Sequence, residues 1–338
     1  MLFRLLALQN SFTYIRQMRR VLTFFVCFFG FIALFSEHGA VATVDPLATD
    51  AAIHVMKKGG NAIDAAVAAG LTLGVVNGYN SGIGGGCFIV ARLADGRVIT
   101  INGRETAPAK AHRDMYLRNG KPDTGLSQLG PLASGVPGAL AAYAQLAKAH
   151  GKLPLRVHLE TAAAVAEKGF AIPAAYAGRI RATAKGLEKF PASEALLFKA
   201  DGSPRVAGDL LKQPDLARTY RAIAKEGTGW FYGGPFARKT ELWMKDNGGI
   251  LAAQDFTNYK TTSPPPVRTT YRGHTILGMQ PPSSGGVHVA QILNILEHFD
   301  LAKMDSNSTD FYHVITEAMK LAFADRAHWL GDPAFANR

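Results

Sequence analysis

The segment from Ala62 to Gly74 carries Ala and Val around its whole helical circumference, with Asn61 placed to cap it. A helix without a polar face has to be covered on all sides, and its alanines let the covering elements approach closely. That demands a large surrounding core. The chain has 338 residues, 48% hydrophobic and 19% charged, an ordinary globular composition that is long enough to supply one. The same figures exclude a disordered tail, a collagen and a coiled coil. No Pro-rich or Ser-rich linker divides the sequence, so one compact unit is expected.

Around this helix the pattern alternates irregularly between helices and hairpins. Pro46 to Lys58 is amphipathic, with Pro46 in the first turn, Gly59-Gly60 at the end and Leu47, Ala51 and Val55 on one face. Two apolar runs, Cys87 to Leu93 and Arg97 to Asn102, flank Asp95-Gly96 and predict a β-hairpin. From Gly138 to about Lys189 the pattern is helical, punctuated by Pro154 and Pro173. A second hairpin is expected over Val267 to Met279, turning at Arg272-Gly273, before helices at Val287 to Glu297 and Phe311 to Trp329. With no internal repeat and no regular strand-helix alternation, the fold class is α+β, with antiparallel or mixed sheets and helical layers.

At the N-terminus, Val21 to Phe35 is an almost unbroken apolar run between Arg19-Arg20 and Ala40-Val41-Ala42. This is the three-part layout of a secretory signal, and the run is shorter than the roughly 20 residues a membrane span needs. Met18 is the expected initiator, cleavage is expected after Ala42, and residues 43–338 form the mature region, exported to the periplasm or beyond. Membrane attachment would arise only through an uncleaved signal. Cys27 lies inside the signal, so the mature region keeps Cys87 alone. An internal disulfide, a Cys-x-x-C redox pair and a cysteine-zinc site are thereby excluded, and Cys87 reads as buried and inert. The net charge of +11 becomes +8 without the signal, 33 basic against 25 acidic residues. No basic stripe or nucleic-acid motif accompanies it, so no nucleic-acid partner is expected. Arg179, Arg181, Lys185 and Lys189 read as a solvated helical face.

Several motifs could carry chemistry. The glycine loop Gly82-Ile83-Gly84-Gly85-Gly86 fits neither a dinucleotide fingerprint, because Cys87 stands where a glycine is needed, nor a Walker loop. It leaves a backbone able to approach a ligand or another strand closely. Arg104 follows the second strand of the first hairpin, where it could grip a carboxylate with two parallel hydrogen bonds or pair with Glu105 or a distant acid. The serines of Pro281-Pro282-Ser283-Ser284-Gly285-Gly286 could cap the next helix or offer hydroxyls and amides to a ligand. His288 reads as a core or surface histidine, and His313 with Glu317 as a surface contact rather than a metal site. The sequence gives no sign of a metal or organic cofactor.

Together, and in order, these motifs are specific. Gly59 to Ala68, Ser81 to Gly86, Gly103 to Pro108, Pro281 to Gly286, and Glu317 to Arg326 make the chain from about Val44 to Arg338 resemble the large-subunit part of the γ-glutamyltranspeptidases, or glutathione hydrolases. The resemblance implies an N-terminal-nucleophile hydrolase with an αββα sandwich, made as a precursor that cuts itself to leave a threonine at the start of a small subunit. That threonine would attack the γ-glutamyl amide of glutathione or a related compound, its α-amine taking the proton, and the glutamyl ester would pass to water or an amino acid. Arg104 matches the family's arginine that binds the α-carboxylate. Gly84, Gly85, Gly86, Glu105, Ser283, Ser284, Gly285 and Gly286 fall in supporting loops.

One departure from the family pattern matters. The sequence ends at Arg338, before the Thr-Thr-His-like start of a small subunit. Thr106 lies inside the Arg104 motif and Thr269-Thr270 in a strand-like run without a following His, so neither matches the nucleophile. The expectation is therefore a large-subunit portion without a catalytic residue of its own, needing a small-subunit partner. Alone it should expose strand edges and apolar surface, aggregate, and be inactive. A glutaryl-type acylase is the nearest enzymatic rival, with Arg104 taken to favour an α-carboxylate. A non-catalytic exported protein that binds glutamate-like anions is the rival of a different class.

Overall fold

The computed structural model describes residues 39–335; the secretory-signal reading falls almost wholly outside them. From Val41 onward the chain forms one unit. No helix among the described residues is long and apolar enough to cross a membrane.

Helix α1, Pro46–Lys57, is capped by Asp45, whose Oδ1 accepts the Leu47 N–H at 2.9 Å. Its buried stripe is Ala48, Ala51, Ala52 and Val55. Leu47, expected on that face, is instead exposed. It lies about 100° around the helix from Ala48, and the spacing of three and four residues runs through the small side chains. Those alanines let α2, Ala62–Val76, lie against α1.

Ten of the fifteen α2 residues are buried, as an all-round apolar helix requires. It opens with a reciprocal cap: Asn61 Oδ1 accepts the Ile63 and Asp64 N–H groups, and Asp64 Oδ2 accepts the Asn61 N–H at 2.8 Å. Asp64 also collects the Lys152 N–H at 2.9 Å, the Leu153 N–H at 3.1 Å and His158 Nε2 at 3.1 Å. Both side chains are fully buried. The ionised Asp64 carboxylate can only accept, so Nε2 carries the proton and donates to it. Burial works to raise the Asp64 pKa, but the three N–H donors and His158 outweigh it and hold the carboxylate below its ordinary value. Burial lowers the His158 pKa, against the opposing pull of Asp64.

His158 lies on α4, Leu155–Lys168, which follows α3, Ala139–His150, and precedes α5, Ala174–Leu187, and α6, Pro214–Glu226. Pro154 and Pro173 stand at the starts of α4 and α5, as the sequence predicts. Helix α2 packs on α4 and α4 on α6, with fully buried Tyr220 of α6 donating to the Leu71 carbonyl at 3.0 Å. Leu71, Leu140, Leu146, Leu159, Ile180 and Phe231 belong to this main core.

Strand β1, Cys87–Arg92, pairs antiparallel with β2, Val98–Gly103. Strand β3, Val267–Tyr271, pairs with β4, His274–Gly278, through Arg272 and Gly273, both with positive φ, as a tight hairpin turn requires. Helix α7, Ser284–Leu296, packs on this hairpin and on α8, Thr309–Trp329. The α+β expectation holds, with the α7 start moved from Val287 to Ser284. Every ladder among the described residues has two strands. Val90 on β1 and Tyr312, Leu321, Phe323 and Trp329 on α8 are exposed.

Candidate substrate-binding site

Arg104 is aimed by the end of β2. Its N–H donates to Asn102 Oδ1 at 3.0 Å, and its carbonyl accepts the Tyr259 hydroxyl at 2.8 Å. The next residues are tied as well, Thr106 and Val136 exchanging backbone hydrogen bonds. The backbone is thus held on both sides of a side chain that stays half-exposed. The guanidinium lies 5.9 Å from the Phe88 ring centroid and its Nε is 4.0 Å from Glu105 Oε2. A pair that long and that exposed is weak, leaving the guanidinium donors available to a bound anion.

The glycine loop meets Arg104 directly. The Gly86 N–H donates to Glu105 Oε1 at 2.9 Å. A Cβ on Gly86 would sit 2.7 Å from the Gly103 carbonyl oxygen and 2.8 Å from Arg104 Cα, so only glycine fits. The close approach to a strand end that the sequence allowed for this loop is present. The Gly85 carbonyl accepts from Gly138 and Ala139, substituting for a side-chain cap on α3. Gly84, Arg104 and Glu105 line a cavity of about 700 Å³ together with Thr106, Tyr116 and Ser134. Glu105 and Gly84 to Gly86 also line a neighbouring one of about 510 Å³. Both volumes suit a small organic ligand.

Cys87, at the start of β1, is half-buried rather than buried. Burial, then the Glu105 charge, pushes its thiol up to about 11, so it is protonated at neutral pH and a poor nucleophile, in keeping with an inert role.

The 283–286 loop contributes no lining residue to either cavity. Ser283 caps α7, its Oγ accepting the Gly285 N–H at 3.1 Å, and Ser284 is the first helical residue. A Cβ on Gly286 would lie 2.2 Å from the Met279 carbonyl oxygen, so this loop works by close helix-strand packing. His288 is buried. Glu317 bonds Lys320 Nζ at 2.8 Å, with exposed His313 one turn away. No group of three His, Cys, Asp or Glu that could hold a metal occurs among the described residues. Sequence reasoning missed Tyr259 and Phe88. Phe88 could have been found, since it pairs across the hairpin with Asn102; Tyr259, 155 residues from Arg104, carries no local signal.

Helical layers around antiparallel hairpins, with an arginine cleft at a strand end, are the large-subunit half of an N-terminal-nucleophile hydrolase. The family model for γ-glutamyltranspeptidase matches residues 48–338, and the chain belongs to that family. It is 40% identical over 303 residues to the glutathione hydrolase proenzyme of Escherichia coli, covering 89% of this chain and 52% of that protein. An acylase ACY 1 proenzyme of Pseudomonas sp. (strain V22) is 41% identical over 306 residues, covering 88% of this chain and 55% of the acylase. The crystal structure of Helicobacter pylori γ-glutamyltranspeptidase superposes with a TM-score of 0.86 at 39% identity, over 88% of this chain and 86% of that one. The chain spans about half the length of the curated relatives it matches.

Proposed function

We propose that this chain is the substrate-gripping large-subunit portion of a γ-glutamyl hydrolase and transferase, acting on glutathione or related γ-glutamyl amides. The observation that carries the reading is the Arg104 guanidinium, fixed through its own backbone yet only loosely paired, on the wall of a ligand-sized cavity. There it holds the α-carboxylate in two parallel hydrogen bonds. The N-terminal threonine of a small subunit attacks the γ-carbonyl, the amine leaves with a proton, and water or an amino acid releases the glutamyl group from the ester. Exposed apolar residues on α8 and the open edge of β1 support a need for that second subunit.

With a small subunit in place, Arg104→Gln should lower kcat/KM for a γ-glutamyl anilide by about 100-fold, chiefly through KM, and Arg104→Lys by about 10-fold. Unchanged KM in both variants would sink the assignment. The export reading predicts a mature protein that begins near Thr43 in the periplasmic or secreted fraction; recovery of the intact N-terminus there would count against it.

The acylase relative favours a second reading, hydrolysis of glutaryl-type amides. Glutaryl and γ-glutamyl groups carry a carboxylate at the same distance from the scissile carbonyl, so Arg104 serves either. The α-ammonium is the difference, and relative rates on γ-glutamyl and glutaryl anilides decide between them.

A further inference from the structure

A third cavity, of about 890 Å³, lies along α5 against the turn that follows α2. It is walled by the rings of Tyr79 and Tyr176, whose centroids are 5.0 Å apart. Arg179, Arg181 and Lys185 also line it, and no Asp or Glu does. None of these three cations has an ion-pair partner among the described residues.

Independently, Tyr176 is 6% exposed, yet its hydroxyl makes no hydrogen bond among the described residues. That hydroxyl sits at the cavity wall, where a Cβ on Gly78 would come within 2.9 Å of it. The ring is buried, but the hydroxyl itself opens onto the cavity and is not sealed in the core, so it is free to donate to an incoming oxygen. Burial, then Tyr79, raises its pKa, so it remains a donor at neutral pH.

We propose that this cavity binds an aromatic carboxylate, whose oxygens accept from Tyr176 and the α5 cations while its ring lies against Tyr79. The lining matches that ligand in three respects: an unpaired donor, unneutralised positive charge, and aromatic surface. A neutral aromatic would leave the cations and the hydroxyl unanswered, and inorganic phosphate would leave the rings unused. The site requires no turnover, so it stands or falls separately from the Arg104 assignment.

The test is a calorimetric titration of the full chain, in whatever assembly it forms on expression, with 2-naphthoate, its neutral analogue 2-naphthamide, and inorganic phosphate. Saturable binding of naphthoate is expected, with Kd about 5-fold weaker in Tyr176→Phe and about 10-fold weaker in the doubly substituted Arg179→Gln, Lys185→Gln protein. Naphthoate binding should also weaken as salt rises. These positions are an unpartnered hydroxyl and two exposed cations, so the variants keep the fold, and circular dichroism verifies it. Absence of naphthoate binding, equal binding of naphthamide, tighter binding of phosphate, or affinity unchanged in both variants would each overturn the proposal.

Discussion

The Tyr259 hydroxyl donates to the Arg104 carbonyl across 2.8 Å, joining two residues 155 positions apart. The bond fixes the backbone beneath the guanidinium without touching its charge. Tyr259 in turn lies with its ring 5.9 Å from that of Tyr232, at 14° between planes. The Tyr232 hydroxyl donates to the Pro137 carbonyl and accepts the Ala141 N–H. A run of two tyrosines thus carries the start of α3 to the arginine.

Replacement of Tyr259 by Phe keeps the stacked ring and removes only this hydrogen bond. We expect a stability loss of about 1 kcal/mol and, with a small subunit in place and on the proposed γ-glutamyl substrate, a KM raised about 3- to 10-fold with kcat nearly unchanged. Burial, followed by Cys87 and Glu105, pushes the Tyr259 phenol up to about 12, so the wild-type bond should persist through pH 10. A kcat effect as large as the KM effect would refute a purely positioning role.

Gly86→Ala brings a methyl group against the Gly103 carbonyl oxygen and Arg104 Cα. Overpacking against backbone cannot be relieved by a rotamer change, and a cost of about 2–3 kcal/mol is expected. A denaturation midpoint equal to wild type would show that the loop and strand can separate freely.

The buried Asp64–His158 pair predicts an acid-side loss of stability in two windows. For His158, whose folded pKa is depressed below the ordinary 6.5, the unfolded chain takes the proton first. Its contribution is full above about 6.5 and declines as pH falls below that value. Asp64, held below its ordinary 3.8, keeps its contribution above that value and loses it as pH falls through the lower, folded pKa. His158→Gln should be less stable at every pH, yet vary less between pH 7.5 and pH 5. A urea midpoint that falls equally in both proteins over that range would contradict the assignment.

The exposed face of α8 predicts self-association of the isolated chain. Leu321 and Phe323 are 57% and 54% exposed, so Leu321→Glu with Phe323→Lys should lower light scattering several-fold and change stability by about 0.5 kcal/mol or less. Equal scattering by the two proteins would locate the sticky surface elsewhere, with the β1 edge as the next candidate.

Local chemistry made much of this fold legible. Asn61, Pro154, Pro173, Gly96 and Gly273 act within a few residues of themselves, and each stands where its preference puts it. Leu47 misled because the largest apolar residue near a helix start is not always on its buried stripe; in α1 close packing selected alanines. In the candidate site, the Arg104 motif and the glycine loop were visible, but their contact through Glu105 and Gly86 was not. Tyr259 was invisible because its partner is a backbone carbonyl, which carries no sequence signature. The unanswered Tyr176 hydroxyl was hidden for a related reason, since a missing partner is a property of the folded neighbourhood.

The Asp64 carboxylate also has a bearing on the order in which the chain is made. Its partners Lys152, Leu153 and His158 lie 88, 89 and 94 residues downstream. At roughly 5–20 residues per second, a ribosome supplies them about 5–20 s after Asp64 itself. Until then the nascent segment holds an ionised group that has only its own cap to lie against, and closing α2 into the core would strand that charge. Burial of Asp64 with all of its partners in place is therefore possible only after the start of α4 has been made.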